Sequence, residues 1–160
     1  MHRLALLLAA ACSMSARGPS YTVAWPDDWV TTDLTRNAAV RGHYRDVISY
    51  EGGRPRGQTT LFQHAIIVSR SPVAEVLADI KKRQITGANA VLATESLEEV
   101  AGRSALTLGF HNRVDPTNQT TYHVIDAGEH RYVLHLHAPS TNAQLTRAAS
   151  LLTSSFALTR

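Results

Sequence analysis

The stretch from Val91 to Ala138 constrains the fold more than any other part of the chain. Strand-length runs at Val91–Ser96, Ser104–Arg113, Thr120–Asp126 and Arg131–Ala138 follow one another with only short turns between them. Those turns are Ala101-Gly102, Asp115-Pro116-Thr117-Asn118 and Ala127-Gly128-Glu129. Parallel neighbours need a crossover of about a dozen residues, which such turns cannot supply, so these runs pair antiparallel as a meander.

Within the meander the even-numbered positions Leu106, Leu108, Phe110, Tyr122, Val124, Tyr132, Leu134 and Leu136 are apolar, and the odd ones include His111, His123, His135 and His137. Period-two alternation predicts that Leu108, Phe110, Val124, Leu134 and Leu136 are buried together, and that the four histidines share the opposite face. His135 and His137 stand two residues apart, a Cα separation of roughly 6.5–7 Å, from which two imidazoles can converge on one metal. Carboxylates are scarce on that face, which leaves zinc or copper as the metals it would take. The plainer alternative is a half-wet sheet surface on which histidine is tolerated.

The flanking segments read as strands and two helices. Tyr21, Val23 and Trp25 alternate as a first strand, ended by the turn Pro26-Asp27-Asp28-Trp29. Further extended stretches are expected over Gly42–Tyr50 and Thr59–Ser69, separated by a loop from Glu51 to Gly57. Ala65-Ile66-Ile67-Val68 is continuously apolar and β-branched, as in a central strand covered on both faces. Ser71 and Pro72 mark a helix start, Val73, Val76, Leu77 and Ile80 make its buried stripe, and Gly87 stops it. A second helix follows Ser140/Thr141, with Leu145, Ala148, Ala149, Leu152 and Phe156 facing inward and packing on the core of the meander.

The first residues form a different kind of segment. Met1-His2-Arg3 precedes an apolar run from Leu4 to Ala11 and then Cys12, the layout of a secretory signal and far too short to span a bilayer. Leu8-Ala9-Ala10-Ala11-Cys12 resembles the bacterial lipobox, which makes Cys12 a lipidation site; ordinary cleavage after Ala11, leaving a soluble protein, is the alternative. Residues 1–12 are thus a signal peptide and lipobox, 13–20 a tether, and 21–160 a single domain. The chain is expected to be exported and lipid-anchored, facing the periplasm or exterior. Ser13 rather than Asp after the cysteine favours the outer membrane where the host has one.

Composition narrows the function classes. A net charge of +3 comes from 16 basic and 13 acidic residues spread along the chain, without the clustered face that nucleic acid requires. No Gly-x-Ser-x-Gly elbow, phosphate loop or His-Glu-x-x-His helix is present. Glu95, Glu98 and Glu99 flank the Gly102 turn and read as a solvated edge rather than an acid/base cluster. Trp29 reads as turn packing, with contact to a ligand or partner as the alternative.

The order strand, Pro-x-x-Trp turn, strands, helix, four strands and C-terminal helix resembles the PsbP/DcrB-like superfamily of α/β/α sandwiches. Three stretches carry the resemblance: Tyr21 to Trp29, Val100-Ala101-Gly102-Arg103-Ser104-Ala105, and Tyr132 to Ala138 followed by Ala149 to Phe156. It implies an α+β fold, an antiparallel β-sheet flanked by helices. It also implies a mostly non-enzymatic group that includes envelope-located and photosynthetic accessory proteins. The expected function is therefore a non-enzymatic envelope lipoprotein, bound to the membrane through its anchor and to an unidentified protein partner, without cofactor. A periplasmic zinc- or copper-binding protein using the histidine face is the alternative.

Overall fold

The structure is a computed structural model of the 160-residue chain, in which residues 16–18 and 21–159 are described. Cys12, the signal segment and most of the 13–20 tether lie outside the described residues. Ala16–Gly18 of that tether forms a short strand (β1), paired with Tyr21–Val23 (β2). The turn after β2 closes as expected, Trp29 donating its N–H to the Pro26 carbonyl at 3.0 Å.

Seven strands make the main sheet: β3 (Trp29–Asp33), β4 (Val47–Pro55), β5 (His64–Ser69), β6 (Ala90–Val100), β7 (Arg103–Asn112), β8 (Gln119–Asp126) and β9 (Arg131–His137). Their order is β3-β4-β5-β9-β8-β7-β6, antiparallel throughout. The β6–β9 meander matches the sequence reading. Ala101 and Gly102 turn its first hairpin with positive φ of 56° and 70°, the conformation a two-residue primed turn requires. Residues 65–68 are fully buried between β4 and β9, as a central strand should be.

Two expectations fail near the first hairpin. Trp29–Asp33 is a strand, and the Glu51–Pro55 segment expected as a loop is the second half of β4, paired with it. Glycine in a strand marks a close backbone approach, and this one does: a Cβ on Gly53 would sit 2.3 Å from the Trp25 ring.

The first helix, α1 (Val73–Lys81), buries Val76 and Ile80 and continues as a π-helical turn over Lys82–Gly87. Ser71 does not cap it. Its hydroxyl points at the Asp46 carboxylate, 3.5 Å away, and Pro72 occupies the cap position. The second helix, α2 (Ala143–Ser155), is capped by Asn142, whose side-chain oxygen accepts the Leu145 N–H. Phe156 ends it, and Ala157–Leu158 (β10) adds to the other side of β2.

Both faces of the sheet are covered. One core joins α2, β2, Trp25 and Trp29 to Ile66, Ala105, Ile125, Tyr132 and Leu134; the other joins α1, Leu34, Tyr44 and Tyr50 to Ile67, Leu108, Phe110, Tyr122, Val124 and Val133. Leu108, Phe110, Val124, Leu134 and Leu136 are all buried as expected, but not together: the first three face α1 and the last two face α2.

Candidate functional site

The split core decides where the histidines go. Asp126 pairs with Arg131, so the β8–β9 loop holds residues 127–130, an even number, and odd positions of β8 face even positions of β9. His123 is therefore opposite Leu134, and His135 is opposite Tyr122. His111 and His123 share the α2 face, while His135 and His137 share the α1 face, so the expected single face of four histidines is not assembled. The alternation argument assumed one dry and one wet face. With helices on both sides, burying Ile125 and Val133 stabilises the odd positions as well.

His123 is buried and engaged. Its Nδ1 lies 2.8 Å from Thr107 Oγ1, and the Glu98 carboxylate stands 3.9 Å away. Burial holds its pKa below the usual histidine value, with Glu98 opposing. A groove of about 960 Å³ opens beside it, between α2, β8 and the end of β6 with its turn, walled by Thr146, Ser150, Thr153, Glu98 and Glu99. Trp29 is 6% exposed and packed between Trp25 and His64, which places it in the core rather than at a contact surface.

On the other side, His135 and His137 enter a pocket of about 380 Å³ at the end of the sheet. Phe110, His111 and Thr120 on the adjoining strands complete its floor; Phe62 and Gln63, before β5, and Gln84 and Ala88, after α1, close over it. Three of the four singled-out histidines thus reach one cavity, His111 from the far face at the strand's end. Yet among the described residues no group of three or more His, Cys, Asp or Glu is placed to hold a metal. Thr120 Oγ1 engages His137 Nδ1 at 3.0 Å, and the His111 Nδ1–H donates to the Asn112 carbonyl.

Behind the pocket lies a polar cluster that the sequence reading did not single out. Arg83 donates through Nη2 to Tyr44 Oη at 2.9 Å and Tyr122 Oη at 2.7 Å, and its guanidinium lies over both rings. Gln84 Nε2 also donates to Tyr122 Oη, which stands 3.2 Å from His135 Nε2. The Tyr122 and His135 rings stack at 4.5 Å. No carboxylate pairs with Arg83 among the described residues. Burial first, and the Arg83 charge second, hold the His135 imidazole far below the usual value, so it is neutral. One sequence signal existed: Arg83 and Gln84 lie three and four residues beyond Ile80, which continues the buried stripe of Val76 and Ile80.

A two-core antiparallel sheet carrying one helix on each face defines the class: the domain has a PsbP-like α+β fold. It is similar to the solution structure of cyanobacterial PsbP (CyanoP) from Synechocystis sp. PCC 6803, with a TM-score of 0.54, 15% identity and 86% of each chain covered. No family model matches the sequence, and no curated protein matches it.

Proposed function

We propose that this chain is an exported, non-enzymatic lipoprotein of the cell envelope, held at a membrane through Cys12 and acting as a protein-binding or assembly-accessory module. The observation that carries the reading is the free outer edge of β6, the last strand of the sheet. Residues 93–99 are all exposed, Leu97 to 72%, and among the described residues one side of their backbone has no neighbouring strand. An irregularity between Leu92 and Thr94 divides the β6–β7 ladder, three pairs lying before it and seven after it.

Such an edge takes an extended segment of another protein by adding a strand, main-chain hydrogen bonds supplying affinity and alternate side chains specificity. Glu95, Glu98 and Glu99 on this edge suit a partner strand bearing Lys or Arg. The groove between α2 and the sheet lies alongside, wide enough to take side chains of that strand. The metal-binding alternative now rests on His135 and His137, two ligands where a zinc site needs three or four.

A photo-crosslinking residue at Leu97, compared with one at Leu151 on the exposed side of α2, tests this in intact cells. The reading expects one discrete envelope-protein adduct at 97 that is absent at 151 and lost on Ser96→Pro. Equal, diffuse labelling at both positions overturns it. Palmitate incorporation that survives Cys12→Ala overturns the anchor.

A further inference from the structure

A residue in the wall of the pocket at the end of β9 carries a buried hydrogen-bond donor with nothing to donate to, and its identity follows from a chain of contacts. Tyr122 Oη has two lone pairs, and both are used, one by Arg83 Nη2 and one by Gln84 Nε2. The hydroxyl proton of Tyr122 must therefore point elsewhere, and His135 Nε2 is the acceptor within reach at 3.2 Å. A neutral imidazole that accepts at Nε2 carries its proton on Nδ1. That Nδ1–H is buried and has no partner, on a residue that lines the cavity and is only 8% exposed.

A buried donor left without an acceptor is costly, and native structures rarely keep one without a ligand or water to receive it. The charge around it also has one sign. No Asp or Glu lines this cavity. Arg83, unpaired with any carboxylate among the described residues, stands one hydroxyl behind His135. A cation, including a divalent metal, would meet that guanidinium; an anion would be drawn by it. Phe62 and Phe110 add apolar walls, and the volume of about 380 Å³ falls in the range of small-molecule sites.

We propose that this pocket binds a small organic monocarboxylate, its carboxylate accepting from His135 Nδ1 and its apolar body lying between Phe62 and Phe110. Arg83 and Tyr122 are positioning residues: they fix the tautomer of His135 and supply the field. Asn118 also lines the cavity, and its amide, whose oxygen is buried without a partner, can turn its nitrogen to the second carboxylate oxygen. This site lies at the α1 face, and its lining holds none of the exposed residues 93–99 of β6, so it stands or falls separately from the docking role.

Benzoate and hexanoate serve as probes, with benzyl alcohol and benzylamine as controls, followed by nitrogen-15 spectra of the imidazoles. The inference expects His135 to be the Nδ1–H tautomer before ligand. Benzoate or hexanoate should bind saturably at roughly micromolar to millimolar concentration, with the His135 resonances moving. Binding should be lost in His135→Leu. It should weaken about tenfold or more in His137→Glu, which places a like charge at the rim of a still-folded protein. Benzyl alcohol binding as tightly as benzoate overturns the carboxylate assignment. A proton on Nε2 of His135, or no saturable binding by a protein with a native amide spectrum, overturns the site.

Discussion

Trp29 stacks on His64, their ring centroids 5.0 Å apart and their planes 20° from parallel. The imidazole is fully buried, and its Nε2–H donates to the Leu145 carbonyl of α2 at 3.0 Å, so the pair links β3, β5 and the C-terminal helix. Burial pushes the His64 pKa down to about 4. The unfolded chain, with a pKa near 6.5, therefore binds more protons between those values, and stability falls as pH drops through that window. His64 alone accounts for roughly 3 kcal/mol of that loss. His123, His135 and His137 shift in the same direction. Urea midpoints measured from pH 7.5 to 4.5 should fall steeply below about 6.5, and His64→Gln should flatten the slope.

Glu51 is expected to matter more for folding than its place in a glycine-rich stretch suggests. It accepts from Tyr21 Oη at 2.9 Å and from Trp25 Nε1 at 2.8 Å, tying the segment that begins the domain to β4. Glu51→Ala leaves both donors without a partner and should cost about 2–4 kcal/mol in urea unfolding. Glu51→Gln, which keeps one acceptor oxygen, should cost distinctly less. Equal costs would mean that the carboxylate holds neither side chain.

Gly53 tests the close approach of β4 to Trp25. A methyl group there would meet the indole at 2.3 Å, whereas Gly87 has nothing within 4 Å of the equivalent position. Gly53→Ala should destabilise by about 1–3 kcal/mol and shift the tryptophan emission, while Gly87→Ala should be close to neutral. A neutral Gly53→Ala would mean that the indole can swing aside.

Zinc and copper titrations separate the two faces of the sheet. Binding that involves His135 and His137 should be weak, and unchanged by His123→Ala, because His123 lies across the sheet against Thr107. Tight binding abolished by either His123→Ala or His135→Ala would require the shared face that the β8–β9 register rules out.

The meander was readable because its turns are short and its runs alternate. The first half was harder to read, because Gly52 and Gly53 carry a turn composition inside a strand. What selects them there is contact with Leu34, Phe62 and Trp25, none of which is local in sequence. The histidine site failed on one residue of loop length. Ile125 and Val133 were the warning: apolar residues at odd positions mean that both parities are buried, and parity then carries no information about which face is wet. Arg83 was hidden differently. A basic residue at a helix end reads as a solvated complement to the dipole, and only the buried stripe of Val76 and Ile80, followed one turn further, turns it inward.

Under the proposed anchoring through Cys12, the pairing of β1 with β2 would give the domain an extensible neck. Ala16 pairs with Val23 and Gly18 with Tyr21, so tension applied ahead of Ala16 loads the ladder from its open end and breaks the pairs one after another. Peeling stops where β2 is fastened by β10 and by the Glu51 contacts. Residues 16–20, once free of β2, span up to roughly 17 Å at about 3.3–3.6 Å per residue. If the proposed anchor holds, the domain would shift its standing height under load while its two cores stay intact.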